Sequence, residues 1–274
     1  MAQTDEKGFA NVETGFSLMA TITALVITRN AADVIDACLK GLTWADEIIV
    51  VDSGSTDDTC TLARRYTDKV IFHAWPGYSE QKNFGHTLVS SDWTLSIDAD
   101  ERVTEELQSE IRSVLEDPAG SSFDAYRIPI RDWMFGKFVN HGSWPHQAHI
   151  RLYRSGHVIW RGTIHEQAEV RGQVGQLTNP LLHYSHTSIG RFIDKLNKYT
   201  DLEAQEMFNQ GIRAGLMTAL LGAVRAFLGQ YVRLQGFRDG GHGLILALLM
   251  AFYYFTTRAK LWSLWYMHEH PLDT

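Results

Sequence analysis

Residues 91–101 read Ser-Asp-Trp-Thr-Leu-Ser-Ile-Asp-Ala-Asp-Glu. A short, largely apolar run at 93–97 is bounded by turn-forming residues and ends in two carboxylates one residue apart. That pattern describes a buried strand that delivers acids to its C-terminal edge. If extended backbone continues through Ala99, Asp98 and Asp100 point to one side. Carboxylates held that close repel unless a proton or cation sits between them, which suits Mg2+ or Mn2+, ions that take oxygen ligands. The alternative is a strand end followed by a helix start, with Asp100 or Thr104 as the cap.

The sequence on the N-terminal side repeats the strand-then-helix pattern three times. Residues 22–28 (ITALVIT), 47–51 (EIIVV) and 69–72 form β-rich runs, and 32–40, the stretch from Ser55 or Thr56 through Tyr66, and 78–89 carry helical spacing. A fourth helix at 104–115 places Leu107, Ile111 and Leu115 on one face. Four such units predict an α/β fold: a mostly parallel sheet with helices on both faces, its ligands bound at the C-terminal strand edges. Three polar clusters fall on that edge: Thr28-Arg29-Asn30, the Asp52–Asp58 loop, and Asp98-Ala99-Asp100. Neither GxGxxG nor GxxxxGK[ST] follows any of these strands, so a metal is the expected means of holding nucleotide phosphates.

Composition narrows the function class. The 274 residues are 45% hydrophobic and 21% charged, as in a globular protein, and the formal net charge of -7 argues against a broad nucleic-acid-binding face. Residues 1–185 carry 16 Lys and Arg against 25 Asp and Glu, while residues 186–274 carry nine against seven. An acidic body with a slightly basic, apolar tail points to membrane contact. Cys38 and Cys60 lack metal-type spacing and suit packed thiols in a reducing cytoplasm. Residues 1–20 show no secretory pattern and are expected to be an N-terminal extension.

Beyond residue 123 the runs 125–131 and 149–153 look like strands of an antiparallel or mixed extension. The loop between them is rich in aromatic residues and histidine: Trp133, Phe135, Phe138, His141, Trp144, His146 and His149. Aromatics of this kind stack on sugar rings. The histidine spacing is irregular and no cysteine joins it, so zinc is disfavoured. Residues 189–209, 215–234 and 244–265 read as helices. The last holds only 12 continuous apolar residues, 244–255, which is short for a spanning helix. Flanking Arg233, Arg238, Arg258 and Lys260, with Trp262, Trp265 and Tyr266, suit helices lying in the membrane interface; the alternative is a dimerising or core-packing hairpin.

The segments ITALVITRNAADVIDACL, ADEIIVVDSGSTDDT, YSEQKNFG, DWTLSIDADERVTEEL, HIRLYR, GTIHE, LLHYSH, KLNKYT and FLGQYVRLQGFRDGGHG together resemble the inverting family-2 glycosyltransferases of the GT-A fold. Within that family they are similar to the subgroup that includes lipopolysaccharide-core β-glucosyltransferases. The resemblance implies a catalytic domain at 21–186, with a nucleotide-sugar half at about 21–117 and an acceptor half at about 118–186, followed by a helical membrane-interface region at 187–274. It implies that Thr28, Arg29 and Asn30 contact the nucleoside, and that Asp52, with Ser53 beside it, binds a base, uracil first. Lys82 would lie near the donor, Asp98 near the ribose and metal, and Asp100 would be the principal ligand of Mg2+ or Mn2+. Glu166 is the best match to the catalytic base, although many relatives carry an Asp-containing base motif. His165 joins the catalytic group as a metal or phosphate contact, with a satisfied core histidine as the alternative. Trp144 and Trp160 are candidates for stacking on an acceptor sugar.

The expected reaction is transfer of a sugar, glucose first, from a UDP-sugar to a hydroxyl of a glycolipid or oligosaccharide such as lipopolysaccharide core, with inversion at the anomeric carbon. The enzyme is expected in the cytoplasm, bound to the inner face of the cytoplasmic membrane, with no nucleic-acid partner and with homo-oligomerisation through the C-terminal helices as a further expectation. Two rivals are a sugar nucleotidyltransferase, which needs a Gly-rich basic loop where this chain has TRNAAD, and a catalytically silent scaffold, which would have no need of Asp98, Asp100 and Glu166.

Overall fold

The computed structural model describes residues 20–116, 122–162, 166–186 and 188–270, the side chain of His146 excepted. The first strand, β1 (Ile22–Thr28), is buried at every position because β2 (Glu47–Asp52) and β4 (Trp93–Asp98) flank it in parallel and helices cover both faces. β3 (Val70–Phe72) extends this part to the order β3-β2-β1-β4. Alternation along β1 divides the core. Ala24 and Val26 face a cluster with Ile35, Leu39, Leu107 and Ile111 from α1 (Ile35–Lys40) and α4 (Glu105–Glu116). Leu25 and Ile27 face Phe84, from α3 (Tyr78–His86), and Leu88 and Val89 just beyond that helix. At Gly85 a Cβ would lie 2.7 Å from a Leu25 methyl, so this helix packs against the sheet only with glycine there.

Beyond β4 the sheet is mixed. The short β5 (Glu101–Arg102) pairs with the last strand, and β6 (Ala125–Met134) forms a hairpin with β7 (Lys137–Phe138). β8 (Ala148–Arg154) runs antiparallel between β4 and β6. β9 (Val158–Arg161) and β10 (Gln167–Val170) form a separate two-stranded ribbon. β11 (Val174–Gln176) and β12 (Leu181–His186) both pair in parallel with β6. The result is the predicted mostly parallel sheet flanked by helices, with α5 (Ile189–Asn209), α6 (Leu216–Leu228) and α7 (Gly241–Glu269) appended.

Three local expectations are corrected. The helix expected after Ser55 is α2 (Thr59–Ala63), because residues 55–57 are spent on the neighbouring loop: Ser55 Oγ accepts from the Asn30 N–H, Asn30 Oδ1 accepts from the Thr56 N–H, and Asp57 accepts from Ala32 and Thr59. Extended backbone does not continue into Ala99, the condition for Asp98 and Asp100 to share a side: β4 ends at Asp98 and a turn follows at Ala99–Asp100. The last helix runs to 29 residues and is the one helix among those described that is long and apolar enough to cross a membrane.

Candidate active site

Strand register builds the site. Thr28 lies opposite Asp52, and Ile27 opposite Asp98, so the three polar clusters meet on one sheet edge. A cavity of about 700 Å³ opens there, walled by Thr28, Arg29, Asn30, Asp98, Asp100 and Tyr78 among others. The Thr28 hydroxyl is buried with no hydrogen-bond partner, a polar atom that a nucleoside would satisfy. Asp52 and Ser53 stand behind this wall. The carboxylate of Asp52 accepts from the Gly54 and Ser55 amides and the Ser55 hydroxyl, and Ser53 Oγ accepts from Gln81. As the structure stands, both shape the loop and do not line the cavity.

The turn at Ala99–Asp100 gives the two acids different neighbours. Asp98 Oδ2 accepts from Arg151 at 2.6 Å, and the same guanidinium nitrogen reaches Glu101 at 2.5 Å. Asp98 Oδ1 lies 3.7 Å from Lys82 Nζ. Burial alone would raise the Asp98 carboxyl; Arg151 and Lys82 outweigh it and hold the group well below the usual carboxylate range. Asp100 instead faces His183 Nε2 at 3.5 Å. Pairing of β12 with β6 sets His183 beside Asp132, whose Oδ1 lies 2.8 Å from His183 Nδ1. Burial works to lower the imidazole, but Asp100 and Asp132 prevail and lift it to about 10, so the ring is cationic at neutral pH. Asp100 is lowered in turn: its bond to this cation overcomes the opposing effect of burial.

Among the described residues no three His, Cys, Asp or Glu side chains converge as a ready-made metal cluster. The chemistry of the donors nonetheless fits a divalent ion. A carboxylate and an imidazole face each other, and the imidazole is oriented from behind by a buried carboxylate, as metal-bound histidines are. Holding a cation there would require the imidazole to give up its proton.

α3 braces the site across its two halves. Gln81 reaches Ser53, Lys82 Nζ reaches Glu166 Oε1 at 3.1 Å and sits 4.3 Å above the Trp160 ring, and Asn83 makes two hydrogen bonds with the Trp160 backbone. Lys82 is 1% exposed. Arg161, close to Glu166 in sequence, pairs with Glu169. A second cavity of about 730 Å³ lies on the far side of Glu166, and Trp144 and Trp160 both line it. Asp98, Glu166, His183 and Lys195 border both cavities. His165 lies outside the described residues.

The structure therefore assembles Thr28, Arg29, Asn30, Lys82, Asp98, Asp100, Glu166, Trp144 and Trp160 around two adjoining spaces. Sequence reasoning passed over Arg151, His183 and Lys195. The first two sit in HIRLYR and LLHYSH, where a charged residue inside a strand pattern was the available signal; Lys195 carried none beyond the KLNKYT match.

The family model described as Glycosyl transferase family 2 matches residues 23–167. The uncharacterized glycosyltransferase RT0209 of Rickettsia typhi is 30% identical over 89% of this chain and 87% of its own length. The lipopolysaccharide core biosynthesis glycosyltransferase LpsC of Rhizobium meliloti is 30% identical over 88% of this chain and 92% of its own. Among solved structures, S. aureus TarS residues 1–349 align over 91% of each chain at 13% identity and a TM-score of 0.45.

Proposed function

The chain belongs to glycosyl transferase family 2, and we propose that it transfers a hexose, glucose first, from a UDP-sugar to a hydroxyl of a cell-envelope glycolipid such as lipopolysaccharide core. The observation that carries this reading is the shared wall: two cavities of similar size adjoin at Asp98, Glu166 and His183. One is bordered by the nucleoside-type edge of the sheet, the other by tryptophans. The name of the Rhizobium meliloti relative supports the acceptor class.

In this arrangement the nucleoside lies against Thr28-Arg29-Asn30, and the diphosphate lies toward Asp100, His183 and Lys195. The acceptor sugar stacks on Trp144, since Trp160 is buried beneath Lys82, and presents its hydroxyl to Glu166. Glu166 takes the hydroxyl proton as oxygen attacks the anomeric carbon, and the nucleoside diphosphate leaves from the opposite face. A single displacement inverts the anomeric centre. Asp100 and His183 would hold Mg2+ or Mn2+, which would supply Lewis-acid stabilisation of charge on the leaving diphosphate. Lys195 adds a cation from α5 to the same side.

The C-terminal region supplies the membrane contact. Leu216, Met217, Leu220, Leu221, Val224 and Leu228 are exposed along α6, and Leu244, Ile245, Leu248 and Phe252 along α7. From Tyr253 onward α7 also makes polar contacts: Tyr253 bonds Glu203, Lys260 pairs with Asp201, and Arg213 pairs with Glu269. Polar packing there favours a hairpin lying in the interface of the cytoplasmic leaflet over a helix that spans it.

A panel of UDP-, GDP- and TDP-sugars, with membrane glycolipid as acceptor, tests the function. Release of UDP with a matching mass gain on the glycolipid is expected, and loss of both in Asp100→Asn. Transfer from a non-uridine sugar alone would overturn the donor assignment.

A further inference from the structure

Four consecutive amides, Asn140, His141, Gly142 and Ser143, all donate to one segment of the C-terminal region. Asn140 and His141 donate to Asp239 Oδ2 at 3.0 and 2.8 Å, Gly142 to the Leu234 carbonyl at 2.9 Å, and Ser143 to Gln230 Oε1 at 3.0 Å. Gln230 Nε2 returns a bond to Ser143 Oγ at 2.6 Å. The carboxylate of Asp239 is 3% exposed and also has Lys137 Nζ at 3.8 Å and His141 Nδ1 at 3.3 Å. Glycine makes the fit tight. A Cβ on Gly243 would fall 1.8 Å from the Gly236 carbonyl, and one on Gly142, where φ is +91°, would meet Gln230 Oε1 at 3.0 Å.

The gripped loop runs directly into Trp144, on the wall of the 730 Å³ cavity. Trp144 packs in turn with Met134, Val139 and Leu246, and Leu246 is the buried neighbour of exposed Ile245 and Leu248 on α7. The apolar face of the hairpin and the tryptophan of the cavity are thus joined through a few side chains and five hydrogen bonds.

We infer that residues 229–243 are an acceptor-positioning clamp: Asp239 and Gln230 hold the 140–144 loop, and so the Trp144 wall, at a set position relative to the apolar hairpin. This deepens the proposed function and rests on it, since it takes the 730 Å³ cavity as the acceptor site. It explains why the GQYVRLQGFRDGGHG stretch combines polar anchors with close-packed glycines between two apolar helices. Asp239 and Gln230 are positioning residues: they act through the loop and touch neither sugar.

The test uses the full chain with Asp239→Asn and, separately, Gln230→Ala. Backbone hydrogen exchange, calorimetric binding of UDP with Mn2+, and transfer kinetics with membrane glycolipid are measured on each. Amides 140–143 are expected to exchange about tenfold faster than in wild type, with residues 22–52 unchanged, and the acceptor KM to rise about tenfold at unchanged kcat and unchanged UDP affinity, the scale of losing one or two hydrogen bonds. Wild-type exchange at 140–143 in both variants, or a loosened loop with unchanged acceptor KM, would overturn the inference. If Asp239→Asn exchanges faster throughout, the half-buried Gln230→Ala decides alone. Wild-type protein that transfers to no glycolipid would bring down the functional reading and the acceptor role with it, while the exchange rates still decide whether the clamp exists.

Discussion

The Lys82 ammonium lies 3.1 Å from the Glu166 carboxylate, and the lysine side chain is 1% exposed. A buried cation from the donor half thus fixes the position of the carboxylate proposed to accept the acceptor proton. Glu166→Gln keeps the shape and one hydrogen-bond acceptor for Lys82 but removes the basic oxygen. Transfer is expected to fall by about 10²–10⁴-fold, the usual range for a lost general base, while UDP binding is retained. Initial rates and calorimetry on the same preparation check this, and a variant with full transfer would remove Glu166 from the mechanism.

Arg151 gives a second prediction, on stability. Its Nη2 atom makes both contacts, to Asp98 and to Glu101, and its side chain is 7% exposed. Arg151→Met leaves the buried Glu101 carboxylate without its cation and leaves Asp98 with Lys82 alone, a loss of roughly 3–5 kcal/mol. Because one nitrogen serves both acids, Arg151→Lys should recover part of that loss. Denaturant midpoints of the three proteins decide it, and equal midpoints for Met and Lys would show that charge is not what the position supplies.

Glu110 carries a pH dependence remote from the chemistry. Its carboxylate accepts from the Thr178 amide and hydroxyl and from the Asn179 amide and side chain, all at 2.8–2.9 Å. Burial pushes the carboxyl up, but these donors prevail and hold it below its ordinary value. A depressed carboxyl contributes stability that is fully present above the unfolded pKa, about 4.3 for Glu, and is lost as pH falls through the lower folded value. Glu110→Gln should therefore cost about 1–2 kcal/mol at pH 7, with the gap to wild type closing toward pH 3. Urea midpoints across that range are the measurement, and a gap independent of pH would contradict it.

The nucleotide-side architecture was legible because it is local. Residues 22–28, 47–51 and 93–97 are continuous β-rich runs, and parallel pairing aligns their ends without further information. What sequence could not supply was the partner of each charge. The family resemblance gives Asp98 and Asp100 different roles but names no partner for either; the turn between them assigns one to Arg151 and the other to His183, residues 53 and 83 positions further along the chain. Those partners are set by β8 and β12, whose order in the sheet follows from long-range packing. The clamp was hidden for the same reason: nothing local to Asp239 shows that the Asn140 and His141 amides converge on it.

The apolar hairpin yields the last prediction. Leu221 is 63% exposed and Leu228 50% exposed, with Arg225 and Arg233 beside them around a groove of about 560 Å³. Fully burying a leucine is worth about 1.5–3 kcal/mol, so Leu221→Glu with Leu228→Glu should lower the vesicle-bound fraction by at least about tenfold and leave the unfolding midpoint unchanged. Arg225→Gln with Arg233→Gln should weaken binding by about 1 kcal/mol per residue on anionic vesicles alone, an effect that salt removes. Flotation with neutral and anionic vesicles separates the two contributions, and detergent should release wild type more completely than salt. The rival occupant of the same face is a second copy of the chain. Lipid-free wild type that sediments as a dimer, and becomes a monomer in the glutamate variant without having bound vesicles at all, would assign the face to self-association. The clamp would then hold the Trp144 wall to a subunit interface, with the acceptor arriving from solution.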